Sequence, residues 1–118
     1  MAANISIKST DDFFKDVEQK WTAIDRGEPV AESATRIYFE SAEALSRVIT
    51  RQRQALLQTL HAHGALSVRG LVALLQRDYK NVHQDVRILE ESGLIERDAK
   101  HHVMAPYEKL TIELSLTA

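Results

Sequence analysis

Apolar residues recur at intervals of three and four in the middle of the chain, and this spacing predicts two consecutive helices. The apolar stripe of the first helix consists of Val68, Leu71, Val72 and Leu75. The second helix runs from Tyr79 to Ser92, and its buried face consists of Val82, Val86 and Leu89. Ser67 is a suitable N-cap for the first helix, and Gly93 follows the second where a left-handed residue belongs. The pattern therefore predicts a helix-turn-helix.

Segments with strand character lie on both sides of these helices. Residues 94–97 and 102–105 flank a polar turn at 98–100, which predicts a β-hairpin. The last segment alternates apolar and polar residues, as a strand with one buried face does; its apolar members are Leu110, Ile112, Leu114 and Leu116. Because one strand is not stable alone, we expect it to pair with the β-prone residues 36–40.

The N-terminal half adds further predicted helices. Residues 1–8 are short and polar and are expected to be frayed. A helix then begins at Ser9 and Thr10 and ends at 25–29, followed by a linker over 30–35. Its aromatic and apolar stripe consists of Phe13, Phe14, Val17, Trp21 and Ile24. Two more helices are predicted, over 42–49 and from Thr50 to near Gly64, the latter burying Leu56, Leu57 and Leu60.

The predicted order is three consecutive helices, the last of which is Tyr79 to Ser92, followed by a β-hairpin. This is the order of a winged helix-turn-helix. The predicted fold class is therefore mainly α with a small β component (α+β), with an extra N-terminal helix and a C-terminal strand. We expect a winged helix-turn-helix domain over residues 36–116 and an N-terminal amphipathic helix within residues 1–30. Because so short a helix is marginal by itself, its stripe must pack on the same chain or on a second subunit; we favour a dimer contact.

Length and composition limit the class of protein. The 118 residues suit one small domain, and no apolar run approaches the roughly 20 residues that a membrane span needs. The first residues lack the basic and apolar regions of a secretory signal. The absence of cysteine excludes disulfides and thiolate metal sites, and we expect a cytoplasmic protein.

The positive charge is concentrated in the middle of the chain. The net charge of −2 is unusual for a DNA-binding protein, but residues 44–87 carry seven basic and two acidic side chains, a net charge of +5. Residues 1–43 carry −4 and residues 88–118 carry −3. The basic segment coincides with the helix-turn-helix, which favours a nucleic-acid partner, while the acidic ends are compatible with a different one.

The second helix of the pair has the side chains that DNA recognition requires. Its exposed positions are expected to be Tyr79, Lys80, Asn81, His83, Gln84 and Arg87. Asn81 and Gln84 have the amide geometry to pair with adenine, and Arg87 can hold guanine or a phosphate. Further phosphate contacts are expected from Arg51, Arg53, Arg69 and Arg77. Asp85 is acidic on this helix, and we expect it to orient Lys80, Arg77 or Arg87.

Two other candidate contacts have equally good structural interpretations. Ser67 begins a helix whose amides can donate to a phosphate, but it is equally explained as a plain cap. Lys100, His101 and His102 in the hairpin turn can touch the DNA backbone or minor groove, or form an ordinary polar turn.

Residues 51–57, 64–72 and 77–97 resemble MarR-type winged-helix regulators. The run Arg-Asp-Tyr-Lys-Asn-Val-His-Gln-Asp-Val at 77–86, with the hairpin and the Pro-Tyr at 106–107, is most similar to a small prokaryotic group of DNA-binding proteins. The resemblance covers roughly residues 36–116 and implies binding to double-stranded DNA. Some members of that group are antitoxin-like repressors of their own operon, which implies a toxin encoded nearby. The hairpin departs from the usual pattern, because residues 98–101 contain no glycine.

Metal and enzyme sites are not indicated. His61 and His63 are two residues apart, so on a helix they point in different directions, and no cysteine or Glu-x-x-His pattern accompanies them. No nucleophile elbow, phosphate loop or metalloprotease motif is present. We predict neither catalysis nor a cofactor.

The sequence therefore predicts a DNA-binding transcriptional regulator that acts as a dimeric repressor. A single recognition helix buries too little surface for specific binding, which favours two copies on two half-sites. The competing hypothesis is a protein-binding winged helix with little DNA affinity, motivated by the acidic ends and the N-terminal aromatic stripe.

Overall fold

The computed structural model describes residues 2–27 and 35–114, except for the side chains of residues 23, 24 and 35. The described part is mixed α/β. Its helices are α1 (Thr10–Asp25), α2 (Ala42–Val48), α3 (Arg51–His63), α4 (Val68–Leu75) and α5 (Tyr79–Glu91). Its strands are β1 (Ala2–Ile7), β2 (Thr35–Phe39), β3 (Glu96–Arg97), β4 (Val103–Met104) and β5 (Lys109–Leu114). No helix among these residues has both the length and the apolar character to cross a membrane.

The chain forms two compact units. One comprises Ser46–Lys109, and the other comprises Ala2–Leu45 with the C-terminal segment from Leu110. This division differs from the expected boundaries of 1–30 and 36–116, because the residues around β2 and β5 belong with the N-terminal strand and helix.

The N-terminal unit contains a three-stranded sheet in the order β2-β1-β5. β1 and β2 are parallel, in register from Ala3 opposite Thr35 to Ile7 opposite Phe39. α1 lies between them in the chain, as parallel neighbours require a crossover connection. Two predictions were wrong here. Residues 2–7 are a strand rather than a frayed end, and residues 36–40 do not pair with the C-terminal strand because β1 lies between the two.

The sequence of β1 has the alternation of a strand, although its residues are half polar. Ala3, Ile5 and Ile7 alternate with Asn4 and Ser6, and this period of two is the pattern of a strand. Ala3 and Ile5 are completely buried, as is Ser6 on the opposite face. The burial of both Ile5 and Ser6 shows that both faces of β1 are covered at these positions.

The second unit contains the predicted helices and hairpin. Thr50 and Ser67 cap α3 and α4 by accepting from the backbone N–H groups of Arg53 and Gly70. Gly93 has the left-handed φ of 83° that was expected after α5. The fully buried side chains that pack these elements together include Leu56, Leu60, Leu71, Val82, Val86, Leu89, Leu94, Ile95 and Val103. The predicted helices and hairpin of this unit are therefore confirmed.

The hairpin is joined to the segment before α4. β3 and β4 are antiparallel, with Glu96 opposite Met104. The backbone N–H of Leu66 donates to the carbonyl of Val103 at 3.0 Å, and the N–H of Val103 donates back at 2.7 Å. This short bridge joins β4 to the residue that precedes the N-cap of α4.

Candidate nucleic-acid interface

α5 separates its apolar and polar residues onto opposite faces. Val82, Val86 and Leu89 are completely buried. The exposed residues include the six expected from their spacing, Tyr79, Lys80, Asn81, His83, Gln84 and Arg87, and also Glu91 at the end of the helix. Lys80, Asn81 and Gln84 make no hydrogen bond or ion pair with any other described residue, so their polar atoms face solvent. The arrangement offers amide and ammonium donors on one continuous helical face.

The start of this face is ordered by a ring contact. Tyr79 and His83, one helical turn apart, stack with centroids 5.9 Å apart and an interplanar angle of 26°. Such a pair restricts both rings before any ligand arrives. Arg87, at the other end, pairs with Glu91 at 3.2 Å, but both side chains are exposed. An exposed pair of this kind contributes little free energy, so Arg87 can exchange Glu91 for another anion.

Asp85 lies on the buried face of α5 and binds two arginines. Its Oδ2 accepts from Arg77 Nη2 at 2.7 Å, and its Oδ1 accepts from Arg53 Nε at 3.0 Å. The expected pairing with Arg77 is confirmed, whereas Lys80 and Arg87 are not its partners. Arg53, 32 residues away in sequence, was not identified as a partner. Arg53 and Arg77 were expected to contact phosphates, but here their charges are directed toward Asp85.

The beginning of α4 contributes a second basic position. The Ser67 hydroxyl accepts from the N–H of Gly70 at 3.0 Å, so this side chain is a helix cap in the structure. Arg69, in the first turn of α4, is exposed and makes no hydrogen bond or ion pair within the described residues. Arg51, at the start of α3, is likewise exposed and makes no side-chain hydrogen bond or ion pair within the described residues. These two guanidinium groups and the Lys80 ammonium are therefore among the cations of this unit that are available to an anionic ligand.

The hairpin turn is built on the Asp98 carboxylate. Its Oδ1 accepts from the backbone N–H groups of Lys100 and His102, each at 2.9 Å. The N–H of His102 does most to lower the pKa of this carboxyl from its ordinary 3.8. His101 adopts a left-handed φ of 64°, the conformation that a glycine would supply in a more usual turn. The side chains of Lys100 and His101 are consequently exposed at the tip.

The hairpin is also connected to α5 by an ion pair. Arg97 Nε donates to Glu90 Oε2 at 2.8 Å, and Arg97 Nη1 donates to the carbonyl of His101 at 3.3 Å. One arginine therefore links the turn to the last part of α5. Neither Arg97 nor Glu90 was predicted as a site residue, because their pairing depends on how the hairpin folds back toward α5.

The remaining histidines have structural contacts. His61 Nδ1 lies 2.7 Å from the carbonyl of Ala105, and His63 Nδ1 lies 3.1 Å from that of Thr59. Within residues 2–27 and 35–114, no group of three or more histidine, aspartate or glutamate side chains is placed to hold a metal ion.

The aromatic stripe of α1 belongs to the other unit. Phe13 packs edge-on against Tyr38 of β2, with centroids 4.8 Å apart. Lys8 pairs with Asp16 of α1 and lies over the ring of Tyr38. Val17 is half-buried, but Phe14 and Trp21 are each 62% exposed. The stripe is thus divided between the chain's own sheet and solvent; the side chain of Ile24 lies outside the described residues.

The comparisons with known proteins identify one family. No curated protein and no solved structure matches the chain. A family model described as HVO_A0114 matches residues 48–112, which include α3, α4, α5 and the hairpin. The matched residues are more than half of the chain, and the chain belongs to the HVO_A0114 family.

Proposed function

We propose that the protein is a sequence-specific, double-stranded-DNA-binding transcriptional regulator of winged helix-turn-helix type, with α5 as its recognition helix. The observation that carries this proposal is the exposed face of α5, on which Asn81, Gln84 and Arg87 lie opposite a completely buried apolar face. A helix entering the major groove needs such a face, since amide and guanidinium groups read base edges there. The hairpin beside α5 would contact the backbone through Lys100 and His101.

The roles of the basic residues follow from their partners. Arg51, Arg69 and Lys80 are exposed without an acidic partner among the described residues, and we assign them to phosphates. Ser67 is a helix cap whose neighbouring amides can approach a phosphate as well. Tyr79 and His83 form a stacked pair at the start of the helix, suited to sugar and phosphate contacts.

The proposed regulator acts as a homodimeric repressor in the cytoplasm. Two copies would place their recognition helices in successive major grooves, about 34 Å apart. Repression follows if the operator overlaps the promoter of its own operon, and an antitoxin role would add a toxin encoded by the neighbouring gene. The resemblance of residues 77–86 to antitoxin-like repressors supports this extension.

The proposal is tested by selecting duplexes from a random library with the purified full-length protein. The selected duplex and a random 24-bp duplex are then compared by fluorescence anisotropy at two salt concentrations. We expect a preference for the selected duplex, and Asn81→Ala should cost about 1–3 kcal/mol on it while leaving the random duplex nearly unaffected. Gln58→Ala, an exposed amide on α3, is the matched control and should change neither affinity. Failure to enrich any sequence contradicts the proposal.

A second candidate function is a protein-binding module with little DNA affinity. The exposure of Phe14 and Trp21 on α1 favours it, since large aromatic side chains in solvent are typical of partner surfaces. Co-expression with the product of the adjacent gene tests it. A stable complex that Trp21→Ser disrupts, together with DNA binding that is weak and equal on all duplexes, would favour this function over the first.

A further inference from the structure

Asp85 is a charged residue among the completely buried apolar side chains of α5. Only 8% of its surface is exposed, while Val82, Val86 and Leu89 on the same face are completely buried. Removing a carboxylate from water is costly unless cations and hydrogen bonds replace the water. A leucine at this position would fill the core without that cost. Stability alone therefore does not explain the aspartate.

The contacts of Asp85 connect four segments of the unit. Arg53, which binds Oδ1, is in the first turn of α3, and its Nη1 also donates to the carbonyls of Arg47 at 2.6 Å and Val48 at 3.2 Å. Arg77, which binds Oδ2, is in the turn before α5, and its Nη2 lies 3.3 Å from Gln52 Oε1. One carboxylate thus ties the end of α2, the start of α3 and the turn to the second turn of α5.

The geometry of these bonds determines how α5 is placed. Arg53 uses Nε and Nη1 on different acceptors, so its planar guanidinium has a defined orientation. The side chains of Arg53, Arg77 and Asp85 are 14%, 21% and 12% exposed, so solvent screens their attraction little. Apolar packing tolerates small sliding of one helix along another, whereas directional bonds to a carboxylate do not.

We propose that Asp85 is a positioning residue for DNA recognition, and that Arg53 and Arg77 act through it rather than by binding phosphates. This inference rests on the function proposed above. The carboxylate fixes the rotation and the axial position of α5, and hence where Asn81, Gln84 and Arg87 meet the base edges. Phosphate binding is left to exposed cations, among them Arg51, Arg69, Lys80 and Lys100.

The two roles predict different responses to salt. Each neutralised phosphate contributes about 0.9 to the log–log slope of affinity against salt concentration. Arg77→Gln and Lys80→Gln each remove one positive charge from neighbouring parts of the unit, and Lys80→Gln is the control for loss of a phosphate contact. The probes are the duplex selected from the random library and the random 24-bp duplex.

We expect Lys80→Gln to reduce the slope by about 0.9 and to weaken both duplexes equally. Arg77→Gln should leave the slope unchanged and weaken binding to the selected duplex at least about fivefold more than binding to the random one. The reason is that a misplaced α5 loses its contacts with the base edges. A slope reduced by about 0.9 with equal losses would make Arg77 a phosphate ligand and overturn the inference.

A second variant, in which apolar side chains replace the three charged ones, tests the inference if Arg77→Gln does not fold. Replacing the network by Arg53→Met, Asp85→Leu and Arg77→Met together removes all three charges, and such replacements are often neutral or stabilising. We expect this variant to fold, as judged by circular dichroism and urea unfolding, and to lose most of the preference for the selected duplex. A folded variant with the full preference refutes positioning by Asp85. If the wild-type protein itself shows no preference for the selected duplex, the proposed function is refuted rather than the positioning role of Asp85.

Discussion

At the scale of single residues, the Asp98 carboxylate shows how a turn without glycine is held. It accepts two backbone N–H bonds, from Lys100 and His102, and these favour its ionised form. Its pKa in the folded chain is therefore lower than the ordinary 3.8, with the His102 N–H as the main cause. The ionised carboxylate thus stabilises the folded hairpin.

This stabilisation has a defined pH dependence. Because the pKa is lower in the folded chain than in the unfolded chain, the contribution is complete well above pH 3.8 and is lost as the pH falls through the folded value. When the pH is lowered from 6 to 3, the free energy of unfolding measured with urea should decrease less for Asp98→Asn than for the wild type. Glu96→Gln, an exposed carboxyl on the same hairpin, is the control and should behave as the wild type does. Equal losses for Asp98→Asn and the wild type would show that the bonds do not favour the charge.

Gly64 is a residue at which backbone conformation alone determines the choice of amino acid. It ends α3 with φ 80° and ψ −159°, a region that is nearly restricted to glycine. A Cβ built there meets no atom within 4 Å, so Gly64→Ala introduces backbone strain without a clash. We expect a loss of about 1–3 kcal/mol in the free energy of unfolding by urea. Ala62→Gln, in the exposed last turn of α3, should stay within about 0.5 kcal/mol, and a similar result for Gly64→Ala would refute the strain.

The residues of the candidate interface were predictable to different extents for physical reasons. The exposed face of α5 follows from helical periodicity, which is a local property, and the structure places all six expected side chains in solvent. The partner of Asp85 was only partly predictable. Arg77 lies eight residues away, whereas Arg53 lies 32 residues away and is brought close only by the packing of α3.

At the scale of elements, the sequence identifies helices better than strands. Caps such as Thr50 and Ser67 mark helix starts by local hydrogen bonds, and both are confirmed. Strand pairing depends on partners that are distant in sequence, and here a six-residue strand at the start of the chain separates β2 from β5. The pattern of β1 is short and half polar, so neither its existence nor its central position was predicted.

The central position of β1 makes Ile5 the critical residue of the sheet. Ile5 is completely buried, whereas Ile112 on β5 is 53% exposed. Ile5→Ala should destabilise the protein by about 2–5 kcal/mol, measured by urea unfolding, because it leaves a cavity that the neighbours fill only partly. Ile112→Ala removes the same atoms from an exposed position of the same sheet and should cost about 1 kcal/mol or less. Equal costs would contradict the central position of β1.

At the scale of the whole molecule, the two units carry opposite charge. Residues 46–109 have ten basic and seven acidic side chains, a net charge of +3, and the remaining residues have a net charge of −5. The overall net charge of −2 is therefore the sum of a positive unit, which contains α5, and a negative unit. A polyanion would be attracted to that unit and repelled by the other, which would orient the proposed approach to DNA.

The proposed dimer makes a prediction for which the chain carries its own reporter. Trp21 is the single tryptophan, and its 62% exposure on α1 gives a red-shifted emission if that face stays in water. If two copies associate through α1, concentrating the protein should shift the emission to the blue, and sedimentation should show the dimer at the same concentrations. Trp21→Lys should give a monomer and weaken binding to a two-half-site duplex, because each copy alone buries too little surface. Gln19→Lys adds the same charge to an exposed position of α1 and should leave the dimer intact. Equal sedimentation of the two variants would exclude Trp21 from the dimer contact and leave it as the surface for a different protein partner.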